Sequence, residues 1–294
     1  MRGHAPDAPV PAARPEALRR RLRRAIGPAV VALRRMGASH RGLPDFVIVG
    51  AQKAGTTTLY SQLVAHPSVL PALRKEVHYF DASPRAESWY RAFFPTHKRL
   101  AATRRRTGAA VTGEATPFYL CHPGAAGRMH AVVPGALVIV VLRDPVARAV
   151  SGYHHAVRMG FETRAIEVAL DPGSAEALAS PDDLAWYDAA ECPLRRRGYL
   201  ARGHYAEQLE RWFASFGRDR VLVLELGDLA TGRAVAAALE RLRLPIRGIR
   251  PVAGRNVASY RPPTPSVEGM LREYFRPYNA ALFELLGHDY PWLA

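Results

Sequence analysis

Short uninterrupted apolar runs alternate along the chain with segments whose apolar residues recur every three to four positions. The runs are FVIVG (Phe46–Gly50), GALVIVVL (Gly135–Leu142) and RVLVLEL (Arg220–Leu226). Each is short, rich in Val, Ile or Leu and bounded by glycine or charge, the pattern of strands buried on both faces. The helical spacing falls between and after them. It predicts helices over Thr56–Ala65, with Thr56 as cap and Pro67 just past the end, and from Pro145 to about Met159. Further helices are predicted over Tyr199–Phe216, from about Leu229 to Leu242, and over Val267–Leu286 with Gly287 as its stop. Leu200, Leu209, Trp212, Phe213 and Phe216 are the candidate core residues of the Tyr199–Phe216 helix. Strands alternating with helices predict an α/β fold, a central parallel sheet flanked by helices, with ligands beyond the carboxyl ends of its strands.

The regular pattern begins only at Asp45, which divides the chain into an N-terminal extension, 1–44, and a compact domain, 45–294. Residues 1–14 are Pro- and Ala-rich and read as disordered. From Pro15 to Met36, Leu18, Leu22, Ile26, Val30 and Leu33 mark the apolar face of a basic amphipathic helix with a break at Gly27–Pro28. Such a helix suits either peripheral contact with an anionic membrane through residues 15–36 or a solvated lead into the domain. Val252–Pro265 is a Pro-rich loop.

Composition narrows this picture slightly. The 294 residues are 48% hydrophobic, and the formal net charge is +15. That charge favours anionic partners, although a bias toward Arg over Lys also fits GC-rich coding. The two cysteines, Cys121 and Cys192, lack metal-ligand spacing and read as ordinary thiols in a cytoplasmic protein.

Three segments carry candidate chemistry. GAQKAGTT (Gly50–Thr57) follows a strand and enters a helix, the context of a phosphate-binding loop, with Thr56, Thr57 and Thr58 adding hydroxyls. Ala54 stands where a nucleotide kinase places its magnesium-binding hydroxyl after the lysine, which argues against phosphoryl transfer. In RKEVHYFD (Arg74–Asp81), an extended backbone would set Glu76 and His78 on one face, a carboxylate beside an imidazole suited to deprotonating a hydroxyl. In LRDPVARAVSGY (Leu142–Tyr153), Arg143 leaves a buried strand and Ser151 lies about two turns into the following helix, a pair able to grip a phosphate. Arg148 and Arg158 read as solvated residues of that helix. The runs Arg104–Arg106 and Arg195–Arg197 fit either an anionic acceptor or solvated charge.

Together these segments resemble the sulfotransferases that use 3′-phosphoadenosine 5′-phosphosulfate (PAPS), in particular the heparan-sulfate type and its bacterial relatives, from about Asp45 to Trp292. The resemblance implies a P-loop-type three-layer sandwich and transfer of a sulfuryl group to an acceptor hydroxyl, on a saccharide, glycolipid or natural product, without a metal and without nucleic acid. It implies Glu76 as general base, Lys53 at the leaving phosphate, and His78 and Asp81 supporting the carboxylate or the acceptor. For the cofactor it implies Gln52, Lys53, Ala54, Gly55 and Thr56–Thr58 at the 5′ end, Arg143 and Ser151 at the 3′-phosphate, and Ser259, Tyr260 and Arg261 on a late loop. Ala115 replaces a lysine common in the heparan-type enzymes, which disfavours a long sulfated glycan. The late loop lacks their Lys-Gly-Arg run, and their paired cysteines near it are absent. The competing reading is a small-molecule kinase using ATP and magnesium.

Overall fold

The computed structural model describes residues 27–173, 183–246, 262–290 and 292. The three apolar runs form strands: β1 is Phe46–Gly50, β4 is Leu137–Leu142 and β5 is Val221–Glu225. Two shorter strands, β2 (Val69–Pro71) and β3 (Val111–Ala115), complete a five-stranded sheet of order β2-β3-β1-β4-β5. Every pairing is parallel. Each residue of β1 and β4 is buried, which is why those sequences alternate so little. The chain leaves β1 toward β2 on one side and later crosses to β4 on the other. The two central strands therefore diverge in their connections, and the crevice between such strands is where ligands settle in this architecture.

The helices that cover the sheet are α1 (Thr56–Val64), α2 (His97–Thr107), α3 (Ala125–Val132), α4 (Pro145–Arg158), α5 (Tyr205–Phe216), α6 (Arg233–Arg241) and α7 (Pro265–Leu286). On α5, Leu209 and Trp212 are fully buried, and the Trp212 indole donates to Leu120 O at 3.3 Å. Each such side chain contributes about 1.5–3 kcal/mol by burial.

Several boundaries differ from the sequence expectation. Gly55, at φ +90°, occupies the cap of α1, and Thr56 is the first helical residue with no capping bond of its own. The helix expected from Tyr199 starts at Tyr205, after a 3-10 turn at Ala201–Gly203. Gly203 presses against the Phe275 ring, where a Cβ would lie 2.6 Å from Cε1. The helix expected from Leu229 to Leu242 is split by Gly232, at φ +78°, into Gly227–Thr231 and α6.

The described part of the N-terminal extension packs on the domain. Residues 27–36 are helical, Arg34 Nη2 and Arg41 Nη1 donate to Phe94 O at 2.8 and 3.0 Å, and Val31 and Leu43 meet the core. Leu33, expected on the apolar face, is 70% exposed. Residues 15–26, the larger part of the basic stretch, lie outside the described residues, as does most of the Pro-rich loop. No described helix is long and apolar enough to cross a membrane.

Candidate active site

The loop from Ala51 to Gly55 turns from β1 into α1 with both Lys53 (φ +70°) and Gly55 (φ +90°) in the left-handed region. Gly55 tolerates this conformation without strain. Its Cα also faces the segment after β5, where a Cβ would sit 2.4 Å from Leu229 Cδ1 and 2.8 Å from Leu226 Cδ1. On the neighbouring strand end, Arg143 Nη1 donates to Lys53 O at 3.1 Å. Asp144 then caps α4 by accepting from Val146 N and Ala147 N at 3.0 and 3.3 Å. Burial, with the nearby charges of Arg158 and Arg143, lowers the pKa of the Lys53 ammonium. Ser151 is buried on α4. Ser259, Tyr260 and Arg261 lie outside the described residues.

The catalytic-loop candidates sit beyond β2, on the other side of β1. Lys75 joins the two halves: its Nζ donates to Thr57 Oγ1 in the first turn of α1 at 2.8 Å and to Glu76 Oε1 at 2.9 Å. Glu76 Oε2 faces His78 Nε2 at 3.6 Å. His78 Nδ1 in turn meets Asp81 Oδ2 at 2.7 Å. The imidazole is thus held between two carboxylates. Burial pushes the Glu76 carboxyl up, but the facing His78 imidazolium and the Lys75 ammonium overcome this and hold it at about 2. For His78 burial works downward, and the Asp81 and Glu76 carboxylates outweigh it, lifting the pKa to about 9. At neutral pH Glu76 is ionised and His78 is a cation.

Asp81 is fully buried, so it faces His78 and Arg195 rather than open solvent. Arg195 Nη1 donates to Asp81 Oδ2 at 2.9 Å and its Nη2 to Asp81 O at 2.7 Å. Beneath the loop lies Glu114 of β3, fully buried. It accepts from Thr116 Oγ1 at 2.5 Å, Val77 N at 3.2 Å, Tyr90 OH at 2.9 Å and Tyr119 OH at 3.2 Å. Burial pushes its carboxyl up to about 7 against those donors. Ala115 beside it is also fully buried, and its N–H donates to Lys75 O at 2.9 Å.

The structure sets Arg143 against the Lys53 backbone and gathers Glu76, His78 and Asp81 into one cluster, which Lys75 links to Thr57. It adds Lys75, Glu114, Arg195 and Arg202, whose Nη1 donates to Gln52 Oε1 at 2.6 Å. Lys75 had a signal, its adjacency to Glu76. Glu114 had a weaker one, a lone acid inside an otherwise core-like run. Two sequence readings are corrected. Arg148, read as a solvated residue, is 1% exposed, because the segment 198–202 covers that face of α4. Arg195 is an internal partner of Asp81, not part of a solvated run. Arg104–Arg106 close α2 near the amino ends of the strands, away from the loops that follow β1 and β4, and the Arg104 charge acts on Asp45 ahead of β1.

The model of the sulfotransferase domain family matches residues 43–234. The chain belongs to that family. The sulfotransferase is 29% identical over 285 residues to heparan sulfate glucosamine 3-O-sulfotransferase 6 of Homo sapiens, covering 87% of this chain and 75% of that one. It is 26% identical over 320 residues to the membrane-associated sulfotransferase kil1 of Dictyostelium discoideum, covering 85% of this chain and 66% of that protein. The crystal structure of a sulfotransferase from Alicyclobacillus acidocaldarius superposes with a TM-score of 0.63 at 28% identity, covering 86% of this chain and all of that one. The P-loop-type sulfotransferase fold is thereby shared, and the kinase alternative finds no support. The sulfuryl donor of the family is PAPS.

Proposed function

We propose that the protein transfers the sulfuryl group of PAPS to an acceptor hydroxyl on a saccharide or another hydroxylated small molecule, by in-line attack with Glu76 as general base. The observation that carries this reading is Lys75. By bonding both Thr57 and Glu76 it sets an ionised carboxylate one side chain away from the phosphate loop.

The acceptor oxygen forms a bond to sulfur while the bond from sulfur to the 5′-phosphate oxygen breaks, releasing 3′-phosphoadenosine 5′-phosphate (PAP). The acceptor proton passes to Glu76, which is proton-free at neutral pH because its neighbours hold it ionised. Charge accumulates on the departing phosphate, where Lys53 and the backbone N–H groups of the Gln52–Thr58 loop stabilise it selectively in the transition state. Arg143 and Ser151 hold the 3′-phosphate. His78 orients Glu76 and faces the acceptor, while Asp81 acts through His78. The chemistry needs neither a metal nor a covalent enzyme intermediate.

Incubation with radiolabelled PAPS and a panel of hydroxylated acceptors tests the transfer, and calorimetry tests PAP binding. A protein that fails to bind PAP removes the proposal. A second property draws support from the membrane association in the name of kil1: residues 15–36 bind anionic vesicles. Sedimentation with such vesicles tests it, and equal binding after Arg19, Arg20, Arg23 and Arg24 are all changed to Gln excludes that role.

A further inference from the structure

Arg148, the arginine buried against expectation, points to a feature the transfer reaction does not use. Its Nη2 donates to Tyr199 O, but its Nε has no hydrogen-bond partner. The Nε of Arg195 is likewise buried and unpartnered. Both arginines line one cavity of about 50 Å³ between α4 and the segment 195–202, together with Arg202, Gln52, His155 and Phe161. By volume it has room for a compact polar group rather than a single water.

The electrostatics of this cavity are one-sided. Among the described residues, neither Arg148 nor Arg202 forms an ion pair with a carboxylate, and Arg195 is matched only by Asp81. Burial, with the neighbouring Arg202 and Arg143 charges, pulls the Arg148 guanidinium down to about 10. Burial and the surrounding Lys53, Arg158 and Arg202 charges also lower His155. Stacking of the Arg195 and Arg202 guanidiniums over Phe118, at 4.1 and 5.2 Å, orients them without neutralising them. A buried guanidinium with an idle N–H and no counter-ion is costly unless an anion completes it.

We propose that this cavity is a separate binding pocket for one compact oxyanion, a carboxylate or sulfate, set beside the acceptor side of the active site. Its wall at Arg195, the partner of Asp81, suits an anion carried by the acceptor, and a free anion presents the same chemistry. Only this placement relative to the donor rests on the sulfotransferase reading. The pocket itself rests on the arginines.

Equilibrium dialysis of the full chain with radiolabelled inorganic sulfate, at saturating PAP, tests the pocket. One equivalent of sulfate is expected to bind. Arg202→Gln should weaken it about tenfold, and Arg196→Gln, at the mouth and more exposed, about threefold. PAP affinity should stay unchanged in Arg196→Gln, and circular dichroism shows that both variants are folded. No sulfate binding to the PAP-saturated protein overturns the proposal, and so does displacement of sulfate by PAP, which would give the pocket to the cofactor. An adventitious ion only, bound equally by wild type and both variants, overturns it as well. If PAP does not bind at all, the sulfotransferase reading fails while sulfate binding still decides the pocket. The source of the anion is read from turnover of a hydroxylated carboxylic acid against its methyl ester. A lower KM for the acid that Arg202→Gln abolishes assigns the anion to the acceptor. Equal KM values with sulfate binding intact assign it to a free ion.

Discussion

The two halves of the proposed active site are built on different principles. The phosphate half, from Ala51 to Gly55 and at Arg143, hangs from the ends of β1 and β4, two neighbouring strands buried along their whole length. Its shape is set by backbone, by a left-handed glycine and by a cap at Asp144. The catalytic half, Lys75 to Asp81, follows the short strand β2 and is shaped by side chains. Glu114 and Thr116 hold it from below, and Arg195 holds its Asp81 from the side. Anion binding and proton transfer should therefore fail separately.

The largest test of that separation is Glu76→Gln. The kcat should fall by about 10²- to 10⁴-fold while PAP affinity is unchanged. Calorimetry beside steady-state kinetics checks it, and a parallel loss of PAP binding would merge the two halves. Next comes Glu114→Ala, which leaves four donors without their acceptor. Stability should drop by about 3 kcal/mol in denaturant unfolding, with kcat falling and PAP affinity in the surviving folded fraction retained. Gly55→Ala reverses the pattern. The forced φ and the approach to Leu229 should cost about 1–3 kcal/mol and weaken PAP binding, with the turnover of bound PAPS less affected.

The phosphate half was legible in the sequence because its signals are local. An apolar run, a glycine turn and a proline-started helix each lie within a dozen residues. Glu76 and His78 were legible for the same reason. The supports of the catalytic half were not. Arg195 reaches Asp81 and Arg202 reaches Gln52 across more than a hundred residues of chain, and no local pattern encodes such a partner. Strands β2 and β3 escaped because Val69–Pro71 is only three residues long and VTGEA carries a glycine and an acid where an apolar pattern is expected. That acid, Glu114, is the keel of the loop.

The smallest effect concerns pH. His78 has its pKa raised from 6.5 to about 9, so the stability it contributes is complete below 6.5 and lost as pH rises through 9. Glu76 is lowered from 4.5 to about 2, so its contribution is complete above 4.5 and lost as pH falls toward 2. Thermal melts of wild type and His78→Gln should therefore converge between neutral pH and about 10, a gap traceable to the catalytic half. A constant gap across that range would mean that His78 is not held by its two carboxylates.

The position of β1 in the sheet has a consequence for how the molecule is made. Its hydrogen-bonding partners are β3 and β4, and Gln52 at its end is met by Arg202, 150 positions further along. A ribosome-bound chain that has exposed β1 and its glycine turn has the binding loop but nothing yet to hold it. The phosphate grip assembles only after some two hundred residues have emerged, and chain order of this kind slows folding. Affinity for PAP is thus a late event in biogenesis, and its appearance during translation would report that the sheet has closed.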